Sequence, residues 1–394
     1  MRTIAMILGT RPEAIKCAPV IAALRESEFF NCVVISTGQH REMLNDTLAE
    51  FDITPDIDLA VMTLGQTLSQ VTSRILEGLA EPLRTLRPDA VIVHGDTATT
   101  FAGALAAFHH EIKVIHLEAG LRSGSIRSPF PEEANRRLVC QVADLHLAPT
   151  SGNAANLIRE GVDESDIYVT GNTVIDALRW AADKTDDTVD PVLEELSTET
   201  RPIIVASAHR RECWGAPMQR IADGLVEIAS RADVRIVVPV HRNPRVREVM
   251  MPTLSGHPRI TTCDPLPYRA FCRLMRKADL VISDSSGAEE EGPGLGKPTL
   301  VLRDVTERPE AVTAGVAKLV SRDRDRIVQE ALAILADRRR YEAMARASNV
   351  YGDGQATGRV MGALRHFFDD GPIVLPFVSG RREADVMLAA AGGA

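Results

Sequence analysis

The chain has 394 residues, 45% apolar and 25% charged, enough for two cores of ordinary domain size and unlike a disordered or membrane-embedded composition. Its net charge of −9 argues against general nucleic-acid binding, which calls for a basic face, and leaves room for a local cationic pocket around an anionic small molecule. Cys17, Cys32, Cys140, Cys213, Cys263 and Cys272 form no CxxC pair and no zinc spacing, so they read as free thiols of a reducing cytoplasm.

From the N-terminus, "MRTIAMILGTRPEAIK" turns charged too early for a signal peptide. No later run approaches the about 20 apolar residues of a membrane span, and a cytoplasmic location is expected. "TIAMIL", "NCVVIST", "DAVIVHG", "IKVIHLE", "LHLAPT" and "IYVTG" predict strands. Between them "PEAIKCAPVIAALRES", "LSQVTSRILEGLAEPLRTL" and "ATTFAGALAAFHH" carry apolar residues at helical spacing. This alternation predicts a mostly parallel sheet with helices on both faces, over residues 1–180. Residues 181–200 carry no strand pattern and read as a helix-containing connection. The alternation restarts over 201–350 with "PIIVASAH", "VRIVVPVH", "RITTCDP", "ADLVISD" and "PTLVLRD". Residues 351–370 are expected to form a terminal helix packing back on the first domain, and 371–394 a tail. The fold class is therefore α/β, two Rossmann-like doubly wound domains in tandem with an inter-domain active-site cleft.

Chemistry in such sheets gathers past the carboxyl ends of the strands. There the first strand presents Arg11 and Lys16, the third His94 and Asp96, the fourth Glu118 and Arg122. In the second half "ASAHRREC" presents His209, Arg210 and Arg211, and "PVHRNP" presents His241. Each alone has a plain reading. Asp96 could cap a helix, His241 could be an interior histidine, and Arg210 with Arg211 could be a solvated pair. "PEEANRR" could be an ordinary helix start with its acids in the first turn. The coincidence of several strand ends carrying acid, base or guanidinium groups exceeds what capping requires.

"DSSGAEEEGPGLGKP", residues 284–298, follows an apolar strand with small residues whose backbone N–H groups suit a phosphate. It is no Walker A loop, because the glycine spacing is short and Pro298 stands where Ser or Thr belongs; nor does any GxGxxG follow the first strand. Ser285, Ser286 and Gly287 are expected to hold a diphosphate. Successive helix residues point about 100° apart, so one of Glu289, Glu290 and Glu291 can reach a ribose diol. The other two are expected to rest near the helix N-terminus, where the macrodipole favours them.

The ordered set "GTRPEAIK", "TGQHREML", "HGDTATTFAGALAAF", "HLEAGLRSG", "SPFPEEANRRL", "GNTVIDAL", "AHRRE", "DPLPY" and "LGKPTLVLRD" resembles the non-hydrolysing UDP-N-acetylglucosamine 2-epimerases along nearly the whole chain. The resemblance implies a GT-B-like fold, a homodimer, and chemistry needing no metal or redox cofactor. The implied reaction inverts C2 of the sugar by eliminating UDP to 2-acetamidoglucal and adding it back. The family's catalytic acids match Asp96, Glu118 and Glu132, and its motif histidine matches His209. Arg11, Lys16 and Arg211 match the basic set, Ser285, Ser286 and Gly287 the phosphate loop, Glu291 the ribose acceptor and Phe271 the uracil-stacking position. Gln39, Glu42 and His241 match a second, regulatory substrate site. Ser286 replaces the family's glycine, Glu289 its glutamine and Cys213 its asparagine, and Arg242 interrupts "PVHLNP". The changes spare the acids and fall on the nucleotide side, as in a relative specialised for amino-sugar natural-product assembly. Alternatives at this stage are a modified UDP-amino sugar as substrate, hydrolysis to free N-acetylmannosamine, a glycosyltransferase, or an inactive nucleotide-sugar sensor.

Overall fold

The computed structural model describes residues 1–39, 41–63, 65–183, 190–306, 308–345, 350–368 and 371–379, with residues 41–43 described in backbone only. The chain divides into two compact units, Met1–Ala177 with Tyr351–Ser379, and Leu178–Val350.

The first unit holds seven parallel strands: β1 (Arg2–Leu8), β2 (Phe30–Ser36), β3 (Ile57–Asp58), β4 (Ala90–His94), β5 (Lys113–Leu117), β6 (Leu145–Ala148) and β7 (Ile167–Val169), in spatial order 3-2-1-4-5-6-7. Helices cover both faces, so the central strands are written as unbroken apolar runs rather than alternating ones. Ile4 to Leu8 and Val91 to Val93 are fully buried. The helix Leu68–Leu86 shows the complementary code. Val71, Ile75, Leu79 and Leu83 recur every fourth residue as its buried face, and Thr67 with Gln70 forms a capping box at its start. At Gly9, where the chain leaves β1, a Cβ would stand 2.0 Å from Thr99 Oγ1. Only glycine lets the helix Ala98–His109 come that close.

After the second unit the chain returns to the first. Asn172 N–H donates to Tyr351 O at 2.7 Å, and Asp176 accepts the N–H groups of Ala356 (3.2 Å) and Thr357 (2.8 Å) at the start of the helix Ala356–Phe367. Residues 371–379 then run back over β7. Phe377 is buried and its N–H donates to Val169 O at 2.8 Å, while Val374 fills the gap left by Gly362. Residues 380–394 of the expected tail lie outside the described residues.

The second unit repeats the plan with six parallel strands: β8 (Ile203–Ser207), β9 (Arg235–Pro239), β10 (Ile260–Cys263), β11 (Leu280–Ser283), β12 (Thr299–Val301) and β13 (Ala317–Leu319), in order 10-9-8-11-12-13. The short helix Pro191–Glu195 belongs here, because Leu193 and Leu196 pack with Ile203, Leu274 and Met275. The strands β3 ("ID") and β13 ("AKL") are not among the predicted ones, because neither carries an unbroken apolar run like those of its neighbours. Among the described residues no helix is long and apolar enough to cross a membrane.

Candidate active site

In the first unit the strand order reverses between β1 and β4, which opens a crevice at their carboxyl ends. The chain turns there through Gly95, φ 70°, into Asp96. Next to it β5 pairs with β4, His94 opposite Leu117, so that Glu118 leaves the same edge of the sheet. The helix Glu132–Cys140 closes the group. Its Arg136 donates from Nε (2.8 Å) and Nη2 (2.6 Å) to Asp96 Oδ2, and Asn135 Nδ2 donates to Asp96 O at 2.8 Å. Glu132 is the first residue of this helix, and i,i+4 and i,i+3 spacing puts it on the side of Arg136 and Asn135. Asp96, Glu118 and Glu132 thus belong to one unit and one end of its sheet.

Glu118 is held from several directions. Lys16 Nζ forms an ion pair with its Oε2, Asn172 Nδ2 donates to the same oxygen at 2.8 Å, and His94 Nε2 lies 3.6 Å away. The residue itself has φ 64°, a left-handed conformation that costs an L-residue on the order of 1–3 kcal/mol and persists where the surroundings over-determine it. Lys16 is buried and turned to this carboxylate; Arg11, five residues earlier, is partly exposed and has no side-chain partner among the described residues.

The crevice has a supporting layer. Buried Glu13 caps its own helix by accepting the N–H groups of Gly9 (2.6 Å) and Thr10 (2.8 Å), and Thr97 Oγ1 donates to its other oxygen. Burial pushes the Glu13 carboxyl above the usual carboxylate range. His116 Nε2–H donates to Gly95 O at 2.8 Å and so steadies the turn into Asp96. Burial pushes His116 down to about 3 and His146 down to about 4, which keeps both neutral.

In the second unit the order reverses between β8 and β11. His209 follows β8. Asp284, fully buried after β11, accepts the N–H groups of His209 and Arg210 on Oδ2, each at 2.8 Å, with His209 Nδ1 3.4 Å from Oδ1. The His241 ring stacks on His209 at 5.4 Å and 14°, and burial with the neighbouring His209 lowers its proton affinity. Arg211 is exposed at the start of a 3-10 turn, while Arg210 Nη1 faces Glu212 at 3.6 Å. Burial, with Asp284 nearby, pushes the Cys213 thiol up to about 12, so it stays protonated.

Ser285 caps the helix Ser286–Gly294 through its backbone, and Ser283 Oγ accepts its N–H at 3.0 Å. The first N–H groups of a helix have no acceptor inside it and suit an anion. A Cβ on Gly287 would meet nothing nearer than 3.6 Å, so the approach is open. The glutamates differ from expectation in their partners. All three are buried. Glu289 takes Arg303 Nη1 at 3.0 Å and Thr306 Oγ1, and Glu290 takes Arg308 Nε at 2.7 Å. These long-range partners, more than the helix dipole, account for two of the acids. Glu291 lies by the buried Tyr268 hydroxyl, which burial first, then Cys272 and Glu291, push well above its usual value. Phe271, on the helix Tyr268–Lys277, is partly buried against Leu266 and its neighbours.

Of the expected regulatory set, Gln39 Oε1 accepts from Thr99 Oγ1 at 2.9 Å in the first unit, and His241 belongs to the second. The side chain of Glu42 lies outside the described residues. Among the described residues no group of three or more His, Cys, Asp or Glu could hold a metal ion. Sequence reasoning missed Glu13, Glu133, Arg136, Asn172 and Asp284. Three left a trace, Glu13 as the last letter of the capping-box pattern "TRPE", and Glu133 with Arg136 at i,i+3.

Comparison with known proteins agrees with this architecture. The sequence model of the family described as UDP-N-acetylglucosamine 2-epimerase matches residues 22–365. The Escherichia coli K12 UDP-N-acetylglucosamine 2-epimerase is 48% identical over 367 residues, covering 91% of this chain and 97% of that protein. Among solved structures, Staphylococcus aureus MnaA in a co-structure with UDP is 41% identical with a TM-score of 0.88, over 96% of this chain and 100% of that one. The Neisseria meningitidis UDP-GlcNAc 2-epimerase bound to UDP-GlcNAc is 41% identical with a TM-score of 0.85, over 92% and 100%. Two tandem doubly wound units, the strand-end carboxylates and this agreement along the chain lead to one conclusion: the protein is a member of the UDP-N-acetylglucosamine 2-epimerase family.

Proposed function

We propose that this chain interconverts UDP-N-acetylglucosamine and UDP-N-acetylmannosamine. The observation that carries the reading is the pair of carboxylates at neighbouring strand ends, Asp96 and Glu118, each held by its own buried cation, Arg136 and Lys16. No carbonyl stands beside C2 of the sugar, so its proton is not removed by simple enolisation. Elimination meets the difficulty. A carboxylate takes the C2 proton, the C2–H electron pair forms the C1=C2 bond of 2-acetamidoglucal, and the C1–O bond breaks with its electrons going to UDP. Re-addition of UDP with protonation of the opposite face of C2 gives the epimer. Such a path needs two placed carboxyl groups and donors for the departing diphosphate.

In this reading Asp96, Glu118 and Glu132 serve the hexose, one taking the proton from C2 and another delivering a solvent-exchanged proton to the opposite face. Ser285, Ser286 and Gly287 hold the diphosphate through N–H and hydroxyl groups, and His209, Arg11 and Arg211 favour its departure. Lys16 acts chiefly through Glu118. Glu291 accepts the ribose hydroxyls and Phe271 stacks on uracil. Gln39, Glu42 and His241 are assigned to a second nucleotide-sugar molecule. The enzyme is placed in the cytoplasm as a homodimer, its product feeding surface-polysaccharide or amino-sugar antibiotic assembly. Proton NMR of the anomeric region during incubation with UDP-N-acetylglucosamine tests the reading. A new UDP-linked manno signal is expected; free N-acetylmannosamine with UDP would mean hydrolysis, and no change would defeat the proposal.

A further inference from the structure

The family motif explains Asp96 and Glu132, but not the buried cation that holds Asp96, Arg136. Arg136 is 5% exposed, on the inner face of the helix Glu132–Cys140. Its Nε and Nη2 both point at one atom, Asp96 Oδ2, at 2.8 and 2.6 Å. No described residue donates to the other oxygen, Oδ1, although the Asp96 side chain is only 24% exposed. The grip is therefore one-sided. It anchors the carboxylate by Oδ2 and leaves Oδ1 as the atom able to take or return a proton. Arg136 is in turn anchored from behind. Its Nη1 lies 3.1 Å from Oε2 of Glu133, which has no exposed surface, and the same Oε2 accepts the Ser123 N–H at 3.1 Å.

Helix geometry supports a positioning role over a plain surface ion pair. Glu133 and Arg136 are three apart on one helix, so the guanidinium is tied at one end to its own helix and at the other to the β4 turn. Asn135 repeats the link through the backbone, donating to Asp96 O. Strand end and helix start are thus locked together by adjacent side chains, and a planar guanidinium with donors in a fixed fork is the group suited to hold a carboxylate in one orientation.

Resting on the epimerase reading above, we infer that Arg136 is a positioning residue for catalysis, which sets the orientation of Asp96 so that Oδ1 faces the sugar C2. It touches no reacting atom; it acts through Asp96. Lysine at this position keeps a cation beside Glu133 and cannot place two N–H groups on Asp96 Oδ2. Alanine removes the grip altogether and opens space for a small guanidinium ion.

The test uses the full chain with UDP-N-acetylglucosamine. The wild type must first form the UDP-linked manno product; if it does not, the functional reading fails and not this inference. Given an active wild type, Arg136→Lys is expected to lower kcat about tenfold or more with KM within about threefold and the melting temperature nearly unchanged. Arg136→Ala is expected to regain activity severalfold when guanidinium chloride is added at a concentration too low to unfold it. If Arg136→Ala does not fold, Arg136→Lys decides alone. A kcat for Arg136→Lys within about threefold of wild type would overturn the inference. So would a fall in kcat that merely follows a fall in melting temperature or a matching rise in KM.

Discussion

Replacing Glu118 by glutamine removes one charge and almost no volume, and the structure allows its two consequences to be separated. The side chain is buried against Lys16, with Asn172 at 2.8 Å and His94 at 3.6 Å. Removing one member of a buried ion pair costs about 3–5 kcal/mol when nothing replaces it. Glutamine keeps a carbonyl oxygen for Asn172 and Lys16, so the loss should fall below that range, on the order of 1–3 kcal/mol. In a two-unit chain this corresponds to a drop in melting temperature of about 2–10 °C. The rate effect is separate and larger. A carboxamide neither takes nor gives the C2 proton, and loss of a general acid–base group costs about 10²–10⁴ in kcat, or about 3–5 kcal/mol of barrier. UDP affinity should stay within about threefold, because the proposal gives the diphosphate to Ser285, Ser286 and Gly287 and leaves Glu118 to the hexose. Anomeric proton NMR gives the rate, calorimetry the UDP affinity, and a thermal melt the stability. A variant that turned over within about tenfold of wild type would refute the role given to Glu118. Equal losses in rate and UDP binding would point to a misfolded site.

Ser286→Gly should keep or raise turnover of UDP-N-acetylglucosamine, because the Ser286 hydroxyl has no partner among the described residues and glycine is the residue the resemblance expects there; a kcat/KM loss beyond about tenfold would mean that the hydroxyl itself holds the diphosphate. Acid should weaken the first unit through its interior histidines. His116 and His146 are pushed down to about 3 and about 4 from 6.5, so the stability they contribute is complete above pH 6.5 and is lost as pH falls towards those values. At pH 5 the loss is on the order of 2 kcal/mol for each. Urea unfolding at pH 7 and pH 5 should show that difference shrinking in the double variant His116→Gln, His146→Gln, and an unchanged difference would assign the acid sensitivity elsewhere.

Much of the frame was readable because parallel sheets are written plainly. Runs such as "TIAMIL" and "DAVIVHG" can be little else, and helices such as Leu68–Leu86 declare their buried face at four-residue intervals. Strand ends then named Asp96, Glu118 and His209 as residues worth attention. What stayed hidden was pairing. Lys16 looked like one of a basic set around the active centre, yet its ammonium meets a carboxylate 102 residues later. Glu289 and Glu290 looked like dipole-favoured acids of a first turn, and they meet Arg303, Thr306 and Arg308 on the segment after β12. Asn172 lies in the quoted "GNTVIDAL", yet nothing local in that stretch shows that its amide donates to Glu118, 54 residues earlier. Local rules fix spacing along an element; they say nothing of which distant element arrives opposite it. The return of Tyr351–Ser379 to the first unit rests on the same kind of contact, through Asp176 and Val169.

The central claim is that a carboxylate of this chain removes the proton from C2 and that the proton exchanges with water before it returns. The direct measurement is mass spectrometry and NMR of UDP-linked sugars after incubation of the wild type with UDP-N-acetylglucosamine in deuterium oxide. The account predicts one deuterium at C2 of the manno product, and none in a control with Asp96→Asn and Glu118→Gln combined. Epimer formed at full rate with protium retained at C2 would contradict it.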